Sequence, residues 1–195
     1  MSDEVIVPPY HRIDKADGYR RSLERGQSLF AQGGATYGLF YLLSGAVNLT
    51  RTTESGNEVL IHKARPVGTF AEASLFSTRY HCTATATADS KLIEYKRSAV
   101  LELMNTDNGF ALAMLQRFAE QIQENRRRIE LMSIKSAEER ILAAFGDKIL
   151  NEDIASFSEV IGFAPETVYR TLSKLSKNGK ITKTSRGEYK LNCST

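Results

Sequence analysis

Apolar and polar residues change period along this chain, and each period predicts a different kind of element. From about Arg20 to Tyr95 the apolar residues come in short alternating runs: Leu39–Leu43, Ala46–Arg51, Glu58–His62, Cys82–Ala86 and Lys91–Tyr95. Gly33-Gly34, Gly45, Gly56 and Gly68 punctuate these runs, so the stretch reads as the strands of a small β-roll or barrel. Ser55-Gly56-Asn57 supplies one turn, and Gly45 predicts another tight reversal between strands.

From Thr106 to about Ile134 the period becomes helical. Leu115, Phe118, Ile122, Asn125, Ile129 and Met132 are spaced 3, 4, 3, 4 and 3, the a/d seam of a parallel two-helix coiled coil. A single polar residue in such a seam, here Asn125, pairs with its symmetry mate and fixes register. The pattern therefore predicts a homodimer. The alternative is a helix packed only on its own β-roll, which calls for a wider apolar face than this one.

Downstream, Ser136-Ala-Glu-Glu139 forms a capping box that opens a helix running through Phe145, and Asp153 is placed to cap the next helix. Phe157, Val160 and Ile161 form one helical stripe, Gly162 permits a tight turn, and Val168, Leu172 and Leu175 form a second stripe. Pro165 suits the first position of the second helix, where its missing N–H is no loss. This is a helix-turn-helix, whose second helix enters the major groove of duplex DNA. Its first turns leave Glu166, Thr167, Tyr169 and Arg170 facing outward. After Gly179, the runs Lys180–Thr184 and Glu188–Leu191 flank Ser185-Arg-Gly187 as a hairpin, which makes the domain winged and sets Arg186 at the tip.

Charge sharpens that assignment. From Ala164 onward there are seven lysines and arginines against two acids, a surplus of five, while the whole chain carries +3. Positive charge is thus gathered on the helix-turn-helix, as expected of a segment that displaces counterions from phosphates. Otherwise the composition, 42% hydrophobic and 25% charged over 195 residues, is that of two ordinary globular domains. No apolar run reaches the length of a membrane span, and the N-terminus lacks the pattern of a secretory signal. Two cysteines, Cys82 and Cys193, make neither a disulfide framework nor a four-ligand metal site. A reducing cytoplasm is the simplest home.

Four segments, Gly26–Phe30, Phe40–Gly45, Gly68–Phe76 and Pro165–Arg170, are similar to successive signatures of the Crp/Fnr family of bacterial transcription regulators, and the resemblance covers nearly the whole chain. It implies an α+β architecture: a cyclic-nucleotide-binding-like β-roll effector domain over 1–105, a dimerisation helix over 106–134 and a winged helix-turn-helix over 135–195. It implies a homodimer that binds a palindromic operator in double-stranded DNA, and contact with RNA polymerase if the protein activates. Glu166 and Arg170 match the family's recognition-helix glutamate and arginine. Pro165 stands where the cyclic-AMP receptor branch carries a further arginine, and Tyr169 where the Fnr branch carries a serine. Pro165, Glu166, Thr167, Tyr169, Arg170 and Lys174, with Lys183 and Arg186 on the wing, are the expected DNA contacts. The spacing from Arg140-Ile141 to Asp153 is shorter than is usual in the family, so this domain is trimmed.

The effector domain departs further. Cyclic-nucleotide binders of this family hold the phosphate with Gly-Glu and Arg-Ser, and the matching residues here are Ala71-Glu72 and His81-Cys82. The glutamate is kept and the guanidinium is lost, and histidine cannot replace its bidentate pairing. Cyclic AMP is therefore not the expected effector. Nor is an iron–sulfur centre, since residues 1–81 contain no cysteine. Glu72, His81 and Cys82 remain the candidate effector pocket. In that pocket Cys82 is a candidate thiol sensor of oxidants, electrophiles or a soft metal, with His81 lowering its pKa; the other reading is that Cys82 is a small buried hydrophobe and His81 a hydrogen-bonded strand residue. Adjacent strand residues point to opposite faces, which argues against one metal shared by both. A regulator without a ligand, its pocket filled by its own side chains, is the alternative reading. A cupin-like small-molecule binder lacks the clustered histidines, since His11, His62 and His81 are scattered, and no catalytic signature is present.

Overall fold

Strands β1 (Gly18–Leu23), β2 (Ser28–Phe30), β3 (Gly38–Thr52), β4 (Glu58–Ala64), β5 (Gly68–Phe70) and β6 (Thr83–Lys96) form one antiparallel sheet in the computed structural model, which describes residues 6–146, 154–185 and 188–192. The long strands β3 and β6 are its spine, paired from Gly38↔Lys96 to Thr50↔Thr83. β1 and β2 pair with β6, and β4 and β5 pair with β3. Gly45 does not reverse the chain. The two apolar runs around it are one 15-residue strand, and the register slips between Leu42 and Val47. Gly45 sits in this bulge at φ 91°, where only glycine avoids a steric penalty. The bulge lets β3 exchange its partner, from β5 at Phe40–Leu42 to β4 at Val47–Thr52. The predicted turn at Ser55-Gly56-Asn57 does join β3 to β4.

Alternation along the paired strands sends Val47 and Leu49, Ala64, Ala84 and Ala86 to one buried side. They meet Phe30, Phe40, Phe70, Tyr80 and Cys82 there in one core. Aromatic rings fill its middle: Phe30 stacks on Tyr80 at 3.8 Å and on Phe40 at 5.4 Å, and Phe40 stacks on Phe70 at 5.2 Å.

Helix α1 (Arg97–Thr106) follows the sheet, and α2 (Asn108–Ser133) begins two residues after the predicted Thr106. Asp107 makes the break, since its backbone is extended and its carboxylate accepts the Phe110 N–H at 3.0 Å as an N-cap. That bond, with the Arg12 ion pair at 2.6 Å, holds the Asp107 carboxyl below its ordinary range. The chain divides into two compact units, up to residue 116 and from 117 onward. The second unit holds the later part of α2, then α3 (Ala137–Gly146), α4 (Ile154–Ile161), α5 (Pro165–Lys177) and the hairpin β7 (Ile181–Ser185) with β8 (Glu188–Leu191). Its core gathers Leu131, Ile141, Phe145, Phe157, Ile161, Val168, Leu172, Leu175 and Ile181. Ser136 caps α3 as its sequence predicts, accepting the Glu139 N–H at 3.4 Å. The predicted cap Asp153 lies outside the described residues. Among the described residues no helix is long and apolar enough to cross a membrane.

Candidate nucleic-acid interface and effector site

α4 and α5 are joined by a turn that the sequence writes out. Gly162 takes φ 69°, and the Phe163 N–H reaches back to the Ser158 carbonyl at 3.2 Å, the Schellman closure of a helix. Ala164 is extended, and Pro165 starts α5 at its first position. α5 closes in the same manner: Gly179 takes φ 68°, its N–H donates to Ser176, and the Lys180 N–H donates to Leu175. Between these stops Val168, Thr171, Leu172 and Leu175 are buried, which turns Pro165, Glu166, Tyr169 and Arg170 to solvent. Tyr169 is 56% exposed. Thr167 is half-buried, and its carbonyl accepts the Thr171 hydroxyl at 2.8 Å.

Lys174, expected on DNA, is ion-paired to Glu138 of α3. Hydrogen bonding from that ammonium holds the Glu138 carboxyl below the usual carboxylate range. The periodicity of α5 gave its exposure and could not show a partner on another helix. On the wing, Lys183 is exposed opposite Tyr189, whereas Arg186 lies outside the described residues. The wing is fastened by Asn192, whose side chain donates to the Gly179 carbonyl at 2.7 Å and accepts the Thr182 hydroxyl at 2.8 Å. No sequence signal marked Asn192.

Arg140 was missed as well. It is 8% exposed, and its guanidinium is met by backbone carbonyls. Nε and Nη2 donate to the Ile134 carbonyl, Nη2 also donates to Met132 at 2.9 Å, and Nη1 donates to Ile161 at 2.8 Å. Its guanidinium lies 4.2 Å over the Phe163 ring. Arg140 is thus an internal tie of the second unit.

Along α2, the seam residues Leu115, Ile122, Ile129 and Met132 are exposed, Ile129 by 68%, and Asn125 is exposed among them. Phe118 is half-buried. Leu131, on another side of the helix, is fully buried in the second core. Ion pairs Arg117–Glu120 and Arg127–Glu130 lie beside the stripe.

The effector candidates differ in their surroundings. Ala71 is left-handed at φ 68° and precedes a 3-10 turn, Glu72–Phe76. Glu72 is buried, its carboxylate accepts the Thr69 hydroxyl at 2.5 Å, and Thr69 Oγ1 lies 2.8 Å from the Tyr10 hydroxyl. His81 and Cys82 occupy a bend before β6 rather than the strand, with His81 exposed and Cys82 in the aromatic core. Burial pushes the Cys82 thiol up from its ordinary value, and the Arg51 guanidinium counters this in part. Among the described residues no three His, Cys, Asp or Glu side chains gather for a metal.

Residues 20–107 match the cyclic nucleotide-binding domain family. The cyclic AMP receptor protein of Thermus thermophilus is 27% identical over 180 residues, covering 87% of this chain and 83% of that one. Electron transport regulator A of Shewanella oneidensis is 25% identical over 190 residues, 87% of this chain and 74% of the relative. Among solved structures, FixK2 of Bradyrhizobium japonicum shares the fold with a TM-score of 0.67 over 90% of this chain and 93% of that one, at 18% identity. The sensor domain of the regulator DNR of Pseudomonas aeruginosa matches with a TM-score of 0.51 at 29% identity, covering 63% and 79%.

Proposed function

Since the chain belongs to the Crp/Fnr family of transcription regulators, we propose that it acts as a homodimer that reads a palindromic operator in duplex DNA. The division of labour is a β-roll over 1–105, a dimerisation helix over 106–134 and a DNA-binding domain over 135–195. The observation that carries this reading is the outward face of α5, where Glu166, Tyr169 and Arg170 are exposed in the first turns while Val168, Leu172 and Leu175 anchor the helix. Arg170 donates to a guanine edge and Glu166 accepts from a base amino group, matching the major-groove pattern. Pro165, Thr167 and Tyr169 line the approach, and Lys183 with Arg186 contacts phosphates. Lys174, whose ammonium pairs with Glu138, has donors left for a phosphate. RNA polymerase is a further partner if the protein activates.

Arg170→Ala should cost about 1–3 kcal/mol on the selected operator and relax selectivity at one base pair, whereas Lys183→Ala weakens all sequences alike and shallows the salt dependence. Equal losses for Arg170→Ala on operator and random duplex remove it from base reading. The exposed seam from Leu115 to Met132 supports the dimer. Ile122→Asp combined with Ile129→Asp should give monomers in light scattering, and a monomeric wild type at micromolar concentration refutes the seam.

Cyclic AMP does not fit the roll. His81 stands exposed where an arginine is needed, Glu72 already accepts from Thr69, and aromatic rings with Cys82 occupy the interior. This packing favours a regulator whose pocket its own side chains fill over a thiol or soft-metal sensor. Micromolar cyclic AMP binding in calorimetry would overturn it.

A further inference from the structure

In a dimer held by α2, the two copies of α5 meet two half-sites only if each is fixed relative to the seam. Within the second unit, α2 ends at Ser133 and α4 at Ile161, and both ends turn their last carbonyls toward one guanidinium. A helix C-terminus leaves carbonyls unsatisfied and carries partial negative charge, so a buried cation between two such ends is held by both. Arg140 fills that role: it bonds Met132 and Ile134 at the end of α2 and Ile161 at the end of α4, and its flat face stacks on Phe163 in the turn that launches α5. Planarity and five fixed donors let one arginine serve three carbonyls and a ring, a combination that a lysine ammonium cannot reproduce. The same helix, α3, also carries Glu138, which holds Lys174 of α5.

We propose that Arg140 is a positioning residue for operator recognition, setting α5 at a fixed angle to the end of the dimer helix so that both half-sites are engaged at once. It touches no DNA. Phe163 and the carbonyls of Met132, Ile134 and Ile161 complete the device. The inference rests on the dimeric DNA-binding reading above, and its test is arranged to separate the two.

The probe is a palindromic duplex selected from a random-sequence library by the full-length wild-type chain, beside the same duplex with one half scrambled. Linking two half-sites raises wild-type affinity for the full site by about 10²–10⁴-fold over the half-scrambled duplex. If the wild type shows no such preference, the dimeric reading fails, whatever the variant does. Given that preference, Arg140→Lys should reduce it to about ten-fold or less, a loss of the avidity gain, while affinity for the half-scrambled duplex and the dimer mass stay near wild type. Mere loss of folded protein would lower both affinities by one factor and leave their ratio intact. An unchanged ratio overturns the proposal. Should Arg140→Lys fail to fold, Phe163→Leu removes the ring and leaves the hydrogen bonds; a reduced ratio then supports the proposal and a wild-type ratio overturns it.

Discussion

Gly45→Ala tests whether the bulge in β3 is what allows one strand to serve two partners. An added Cβ would lie 2.2 Å from Ser90 Oγ, 2.5 Å from the Asp89 carbonyl and 2.6 Å from Ser90 Cα. Two of those three atoms are backbone, and Ser90 cannot rotate aside freely, because it is 2% exposed and its hydroxyl accepts the Ala46 N–H at 3.1 Å. The φ of 91° adds about 1–2 kcal/mol for an L-residue, and forcing an extra carbon into a packed site costs about 1–3 kcal/mol. Loss of glycine's freedom in the unfolded chain offsets roughly 0.4–1 kcal/mol. The net is a loss of about 2–4 kcal/mol, or a fall of about 10 °C in the melting temperature at a few °C per kcal/mol. Gly56→Ala is the control. Its φ is 81°, but nothing lies within 4 Å of the added carbon, so only the backbone penalty applies, net about 0.5–1 kcal/mol. Denaturation of both variants isolates the steric part by difference. Equal losses, or a Gly45→Ala transition within about 2 °C of wild type, would refute the bulge geometry.

Cys82 in the native protein should react slowly with a thiol reagent at pH 8, because burial raises its pKa, and fast once denaturant opens the sheet; rapid native labelling contradicts the packed interior. Glu138 has a folded pKa below its unfolded one, so its pairing with Lys174 stabilises above the ordinary glutamate range and is lost as pH falls through the lowered value. Glu138→Gln should therefore flatten the acid side of the stability profile of the second unit, measured by denaturant midpoints between pH 7 and 3, and an unchanged slope counts against the pair.

The second unit was legible where local rules decide geometry. Gly162, Pro165 and Gly179 announce helix ends through φ and missing donors, and the stripe Val168, Leu172, Leu175 sets which face of α5 is free. Gly45 misled because positive φ suits a hairpin and a bulge equally, and the choice is made by β6, paired with β3 on both sides of the glycine. Asp107 was hidden for a related reason: its cap lies between two helices, and its ion pair joins Arg12, 95 residues away in sequence. Lys174 and Arg140 show the limit for charged residues. Sequence position marks a lysine or arginine as soluble surface, and only the packing of α3 reveals that one meets Glu138 and the other a set of backbone carbonyls.

The segment from Val67 to Glu72 carries the argument about the roll furthest. Val67 and Ala71, at φ 64° and 68°, are the non-glycine residues with left-handed backbone among those described, and they bracket β5 on either side. A β-branched residue in that region is a genuine outlier, so the surrounding structure must over-determine the conformation. What holds it is visible: the Val67 N–H donates to the Leu42 carbonyl at 2.8 Å, β5 pairs with Phe40–Leu42, and Glu72 accepts from Thr69 beside Tyr10. Strain of this kind suits a site that exchanges one set of partners for another when a ligand arrives. Here the partners are already internal, and Glu72, the one polar group retained from the family's phosphate cradle, is bonded within its own segment. A ligand entering at this place would meet a Glu72 carboxyl that already accepts a buried hydrogen bond from Thr69, so it would share or displace that bond.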